Sequence, residues 1–128
     1  MMFKRIDHTE FVPADFEKTL HFYTEIIGFK ITMRRKVDRP PMKEIVFIEL
    51  GGTMLELFSV QNPAPASRET WQVGYRKIAI QVEDAGKAVT YLKNNGIEIV
   101  SSSPATEPTR RAEIKDPDGI SIELIQRE

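Results

Sequence analysis

The chain has 128 residues, 41% hydrophobic and 29% charged, with a formal net charge of -1 and no cysteine. That is enough for one domain with its own core and too little for two independent ones. The charge balance gives no electrostatic case for nucleic acid or an anionic membrane, and the missing cysteines exclude disulfides, zinc thiolate sites and cysteine nucleophiles.

Residues 4–12 alternate and read as a first strand, I-D-H-T-E-F-V-P among them. Asp15 then suits a helix N-cap, followed by Phe16, Leu20, Tyr23 and Ile27 at helical spacing, with Gly28 at the C-terminus. Residues 29–37 return as a strand that Pro40-Pro41 ends in a loop. Two apolar-rich strands, 43–50 and 53–60, are joined by Gly51-Gly52, a tight hairpin signal. Residues 61–70 have turn composition and no periodicity. A strand near 74–83 follows. Asp84 then caps a helix to about Asn95, with Ala88, Tyr91 and Leu92 expected to face inward and Gly96 ending it. Strands are expected near 97–101, 109–115 and 119–126, the last two joined by the turn Asp116-Pro-Asp-Gly119.

The chain is therefore written twice. His8 and Lys77 open matching strands, Asp15 and Asp84 matching helices, Gly28 and Gly96 close those helices, and Gly52-x-x-x-Glu56 matches Gly119-x-x-x-Glu123. A nearly constant offset across these landmarks marks an internal repeat. The expected organisation is one domain over 1–128: repeat 1 at about 1–60, a linker at 61–73, and repeat 2 at about 74–128. No apolar run approaches the ~20 residues of a membrane span. The N-terminal residues lead straight into strand-like sequence with no signal segment, so a cytoplasmic setting is expected.

Strand alternation assigns faces. Ile78, Ile80 and Val82 go to the helix side, and Lys77, Ala79 and Gln81 go opposite. Leu55, Leu57, Ile122 and Leu124 likewise face helices. His8, Glu10, Glu56, Lys77, Gln81 and Glu123 all project from helix-free faces, in company with the apolar Met54, Phe58 and Ile125. A solvated sheet face would explain the polar residues alone. Polar groups set among apolar ones fit a ligand cleft better.

On these residues the chain resembles the vicinal oxygen chelate superfamily, which includes glyoxalase I, methylmalonyl-CoA epimerase, fosfomycin and bleomycin resistance proteins and extradiol dioxygenases. The most specific parts are I-D-H at 6–8, H-F-Y-T-E-I-I-G-F at 21–29, the G-G-T-M-L-E-L-F hairpin and D-P-D-G-I-S-I-E-L at 116–124. The resemblance implies an α+β fold, two βαβββ repeats forming a curled mixed sheet around a shared cleft, and a homodimer. It also implies a divalent metal, nickel or zinc, on His8, Glu56, position 77 and Glu123. The third of these departs from the pattern, because Lys77 stands where the glyoxalase and epimerase patterns have histidine. Glu56, in place of the epimerase glutamine, points toward glyoxalase I.

An ammonium has three donors and no lone pair, so Lys77 cannot ligate a cation without losing a proton against a pKa of about 10.4. Two arrangements follow. In the favoured one Lys77 fills the metal's place and pairs with at least one of Glu56 and Glu123, and no metal is needed. In the other it swings aside and an ion sits on His8, Glu56 and Glu123 with water.

The first functional expectation is a glyoxalase I-like lyase or isomerase that moves a proton beside a carbonyl of a small molecule. Glu56 or Glu123 would be the base, and Lys77 or a metal would stabilise the oxyanion. The second is a metal-free small-molecule binding protein of the bleomycin-resistance type. A metal-dependent epimerase or dioxygenase comes third, against Lys77. Glu49, which shares a face with Phe47, is either a cleft acid or an exposed strand-end carboxylate. Arg111, Arg34 and Arg35 are candidates for holding an anionic substrate group, against plain surface charge. His21 reads as helix surface or core, and Trp71 and Tyr75 as cleft or interface residues or as core.

Overall fold

The computed structural model describes residues 1–67, 69–104 and 106–127. The chain divides into two compact units, Met1–Ala66 and Ser67–Glu128, and the division falls inside the stretch expected as a linker.

In the first unit, β1 (His8–Phe11) leads into helix α1 (Phe16–His21), a π-helical segment (Phe22–Ile27), β2 (Lys30–Arg39), β3 (Met42–Leu50) and β4 (Thr53–Val60). The sheet order is β1-β4-β3-β2, with β1 parallel to β4 and the other neighbours antiparallel. The second unit repeats this as β5 (Lys77–Gln81), α2 (Ala85–Asn94), β6 (Ser101–Ser102), β7 (Arg110–Lys115) and β8 (Ser121–Gln126), ordered β5-β8-β7-β6 with β5 parallel to β8. The fold is α+β, built of two βαβββ units.

Both helices start as the sequence indicates. The Asp15 carboxylate accepts the Lys18 N–H and the Asp84 carboxylate accepts the Lys87 N–H, satisfying backbone donors that a helix start leaves unpaired. The expected ordinary helix over 16–27 is corrected in its second half. The N–H groups of Gly28 and Phe29 both reach the Tyr23 carbonyl, at 3.1 and 3.0 Å, and close a wider π turn. Neighbouring Phe22 and Tyr23 are both buried beside Leu20. Tyr23 meets the rings of Phe11, Phe22 and Phe29 at 5.7, 5.1 and 5.8 Å. Gly28 ends the segment in the left-handed region, which an L side chain resists.

The expected strands over 4–12, 74–83 and 97–101 are all too long. β1 runs parallel to β4 with His8 opposite Met54, and β4 begins at Thr53, so residues before His8 soon run out of partners. β5 starts at Lys77 for the same reason, opposite Ser121 at the start of β8. Ile97 is still tied to α2, its N–H reaching the Leu92 carbonyl, so the strand is confined to Ser101–Ser102, flanked by Val100 and Ser103, whose N–H groups reach the Glu113 and Arg111 carbonyls of β7. In α2 it is Ala85 and Leu92 that are buried, whereas Tyr91, expected inward, is 48% exposed. The 116–119 turn forms as expected: the buried Asp116 carboxylate accepts the N–H groups of Asp118 and Ile120, both at 2.9 Å.

The helix-side faces make the two cores. Val46, Ile48, Leu55 and Leu57 are buried in the first unit, and Ala112, Ile114, Ile122 and Leu124 in the second. At roughly 25 cal/mol per Å² of apolar surface removed from water, these side chains anchor each sheet beneath its helix. The opposite faces are thereby free to carry polar groups.

Candidate functional site

Three donors converge on the helix-free face of the first unit. The parallel register sets Glu10 opposite Glu56, and His8 lies two residues from Glu10 on the same side. His8 Nε2 is 3.2 Å from Glu56 Oε1 and 3.4 Å from Glu10 Oε2, and the three donor atoms lie within 4.8 Å of one another. The other ring nitrogen, Nδ1, is 2.9 Å from Asp7 Oδ2. Phe47, opposite Glu56 on β3, meets the imidazole edge-on at 5.1 Å. The ring is thus held on two sides.

The charges are unevenly solvated. Glu56 is 7% exposed. Burial pushes its carboxyl above the ordinary value and the Glu10 charge pushes the same way, while His8 and Arg35 oppose them. His8 is raised above the usual imidazole value, first by its hydrogen bond to Asp7 and then by Glu10 and Glu56, against the effect of burial.

The second unit carries a different cluster on the corresponding face. Lys77 Nζ donates to Glu113 Oε1 at 3.0 Å and stands 3.9 Å from Glu123 Oε1. Glu113 lies opposite Glu123 across β7 and β8. The Lys77 hydrogen bond holds the Glu113 carboxyl below the ordinary value, against burial and with help from Ser121. These three side chains line a cleft of roughly 280 Å³ with Arg111 and Ser101 to Ser103. Arg111 has no ion-pair partner among the described residues.

The expected pairing of Lys77 with at least one of Glu56 and Glu123 is met at Glu123, but the shorter contact is to Glu113, which the sequence reading missed. Its signal was present: in R-R-A-E-I-K, Ala112 and Ile114 are buried, so alternation puts Glu113 on the polar face with Arg111. Alternation also placed Glu10 on its face. Only the register, which sets it opposite Glu56, makes it a third donor.

Other candidates go elsewhere. Arg34 belongs to the helix side: it pairs with Glu44 at 2.6 Å and with Glu17 on α1, and lies over the Phe16 ring. It is a strut between helix and sheet, and no longer an anion-holding candidate. Arg35, on the opposite face, is close enough to Glu56 to lower its pKa. The Glu49 carboxylate accepts the Gly52 N–H at 2.6 Å and so braces the β3–β4 hairpin. His21 is on the helix surface. The core alternative for Trp71 and Tyr75 is overturned, since they are 82% and 99% exposed, with the Arg76 guanidinium stacked on Trp71 at 4.3 Å.

Residues 5–124 match the family model described as the Glyoxalase/Bleomycin resistance protein/Dioxygenase superfamily. The chain belongs to this superfamily. It is 33% identical to a lactoylglutathione lyase of Neisseria meningitidis serogroup A, over 96% of this chain and 91% of that one. Among solved structures it is similar to a glyoxalase family protein of Enterococcus faecalis (TM-score 0.85, 25% identity, covering 98% and 99% of the two chains). It is also similar to the trypanothione-dependent glyoxalase I of Leishmania major (TM-score 0.79, 27% identity, 96% and 86%).

The superfamily resemblance asks for a metal on positions 8, 56, 77 and 123, and the residues of this chain do not fit that set. An ammonium stands at position 77, donating to one carboxylate and close to a second. Among the described residues the group with metal-ligating character is His8, Glu10 and Glu56.

Proposed function

We propose that the chain is a glyoxalase I-like lyase or isomerase that moves a proton beside a carbonyl of a small molecule and stabilises the enediolate-type oxyanion that results. The observation that carries this reading is Glu56, a buried carboxyl raised above its ordinary pKa and in contact with an imidazole. A carboxylate in that state is a stronger base than a solvated one, as proton abstraction next to a carbonyl requires. His8 orients it. Lys77, in the second unit, is an ammonium whose charge and N–H donors can stabilise a developing negative oxygen without a metal ion, with Glu123 beside it as the alternative base. Glu123 and Glu113 hold that ammonium in place. Arg111, without an ion-pair partner among the described residues, suits an anionic group on the substrate, while Glu49, engaged by its hairpin, takes no part in the chemistry.

The lactoylglutathione lyase relatives make the hemithioacetal of methylglyoxal and glutathione the first substrate to try. Turnover by the purified chain that falls on Glu56→Gln supports the reading. A wild-type rate equal to the uncatalysed one rejects it. We further take the functional form to be a cytoplasmic homodimer formed from one domain per chain.

A second reading, a binding protein without chemistry, draws on the Lys77 cluster. An ammonium already matched by two carboxylates can recognise a ligand without reacting with it. Blank turnover together with a ligand-dependent rise in melting temperature would select this reading.

A further inference from the structure

We propose that the helix-free face of the second unit carries a subsite of its own for a small α-amino carboxylate, with Arg111 taking the carboxylate and Glu123 the ammonium. This rests on the reading of Arg111 as the holder of an anionic group. It adds the other half of the ligand and needs no turnover.

The groups lining the cleft are unevenly engaged. Glu113 is matched twice, by the Lys77 ammonium at 3.0 Å and by the Ser121 hydroxyl. Glu123 is not. Lys77 Nζ lies 3.9 Å from it, beyond hydrogen-bond reach, and among the described residues none donates a hydrogen bond to it. Its side chain is 24% exposed, so its oxygens are largely removed from water with acceptor capacity left over. Arg111 is the reverse case, a guanidinium on the cleft wall with donors to offer and no ion pair among the described residues.

The charges are also laid out in two parts. Glu113 and Glu123 against Lys77 leave one negative charge, and Arg111 supplies one positive charge. The cleft is therefore polarised without net charge, and a zwitterion complements both ends of it. A phosphate dianion would suit Arg111 but would meet the two glutamates.

The register gives the spacing. Arg111 stands opposite Ile125, and Glu123 is two residues before Ile125, so Arg111 and Glu123 are diagonal neighbours on one face. Such neighbours are roughly 7–8 Å apart, within reach of long side chains. A ligand with both charged groups on one carbon can bridge them. The cleft of roughly 280 Å³ sits at the small end of ligand pockets, about 300–1,000 Å³, so the ligand is small. The arginine is presented by a fixed backbone. Ser103 Oγ accepts the Arg111 N–H at 2.8 Å, and the Ser103 N–H reaches the Arg111 carbonyl at 2.8 Å. The Ser103 hydroxyl keeps its own hydrogen to give to a carboxylate.

The test follows backbone amide shifts by NMR in the full isotope-labelled chain, at about pH 7 and low salt to limit screening. The probes are L-alanine, propionate, ethylamine and inorganic phosphate. Alanine should give saturable shifts centred on residues 101–103, 111–113 and 123. Propionate and ethylamine, each lacking one charge-assisted contact, should bind at least about tenfold more weakly. Arg111→Gln and Glu123→Gln should each weaken alanine binding about tenfold, whereas Glu123→Gln should not weaken propionate. Melting curves check that both variants fold, and the comparison of alanine with propionate on the wild type stands without them. Propionate or phosphate binding as tightly as alanine overturns the proposal and leaves Arg111 as a simple anion holder. Saturable binding by none of the anions overturns both. Alanine shifts centred on residues 8–10 and 56 also overturn the proposal, because the ligand would then sit on the first unit.

Discussion

The two units solve one layout with two different charge balances. In the first, Glu10 on β1 faces Glu56 and the apolar Phe47 flanks Glu56 on β3. In the second, Ala79 on β5 faces Glu123 and Glu113 flanks it on β7. The second acid has changed sides of the repeated glutamate, and the histidine at its strand's start has become lysine. An imidazole is neutral or charged according to its surroundings, whereas an ammonium in contact with carboxylates stays charged. The Lys77 cluster therefore carries its own cation, whereas the charge of the His8 cluster changes with the proton on its imidazole. A duplicated fold has kept one electrostatic solution closed and the other responsive.

The sharpest way to break this comparison is to neutralise the responsive side. Glu56→Gln keeps the shape and removes the base. If Glu56 takes the proton, kcat for hemithioacetal turnover falls by about 10²–10⁴, the usual range for a general base. Glu123→Gln in the same assay should cost less, because that carboxylate is shared with an ammonium. Equal losses would erase the distinction between the halves.

Next is the closed side. Lys77→Met leaves Glu113 and Glu123 without their cation. Because all three side chains are about one-quarter exposed, the cost in urea unfolding should be about 1–2 kcal/mol, between an exposed and a buried broken pair. Adding Glu113→Gln to Lys77→Met should recover part of that loss, because the pair is coupled. Full additivity would mean that the 3.0 Å contact contributes nothing.

Much of this layout could be read from the chain, and the reasons are local. Helix caps depend on one residue and its neighbours, so Asp15 and Asp84 were legible. Changing either to Ala should lower stability, measured by chemical denaturation. Hairpin turns and face parity are also local, which is how His8, Glu56, Lys77 and Glu123 came out on helix-free faces. Registry was not legible. The lengths of β1, β5 and β6 depend on where the partner strand begins, and the Glu113–Lys77 contact depends on a pairing between distant residues. The π turn was hidden too. It arises because Phe22 and Tyr23 are both drawn into one aromatic cluster, which spacing along a regular helix does not reveal.

The smallest expected effect is also the most direct contrast, since the two clusters should respond to pH in opposite directions. His8 has a folded-state pKa above its unfolded value, so the stability it adds is fully present below about pH 6.5 and is lost as pH rises through the folded value. Glu113 has a folded-state pKa below its unfolded value. Its contribution is present above about pH 4.5 and is lost as pH falls through the folded value. The stability difference between wild type and His8→Gln, followed by urea unfolding from pH 5 to 8, should therefore shrink toward alkaline pH. The difference between wild type and Glu113→Gln should stay flat over that window and shrink only in acid.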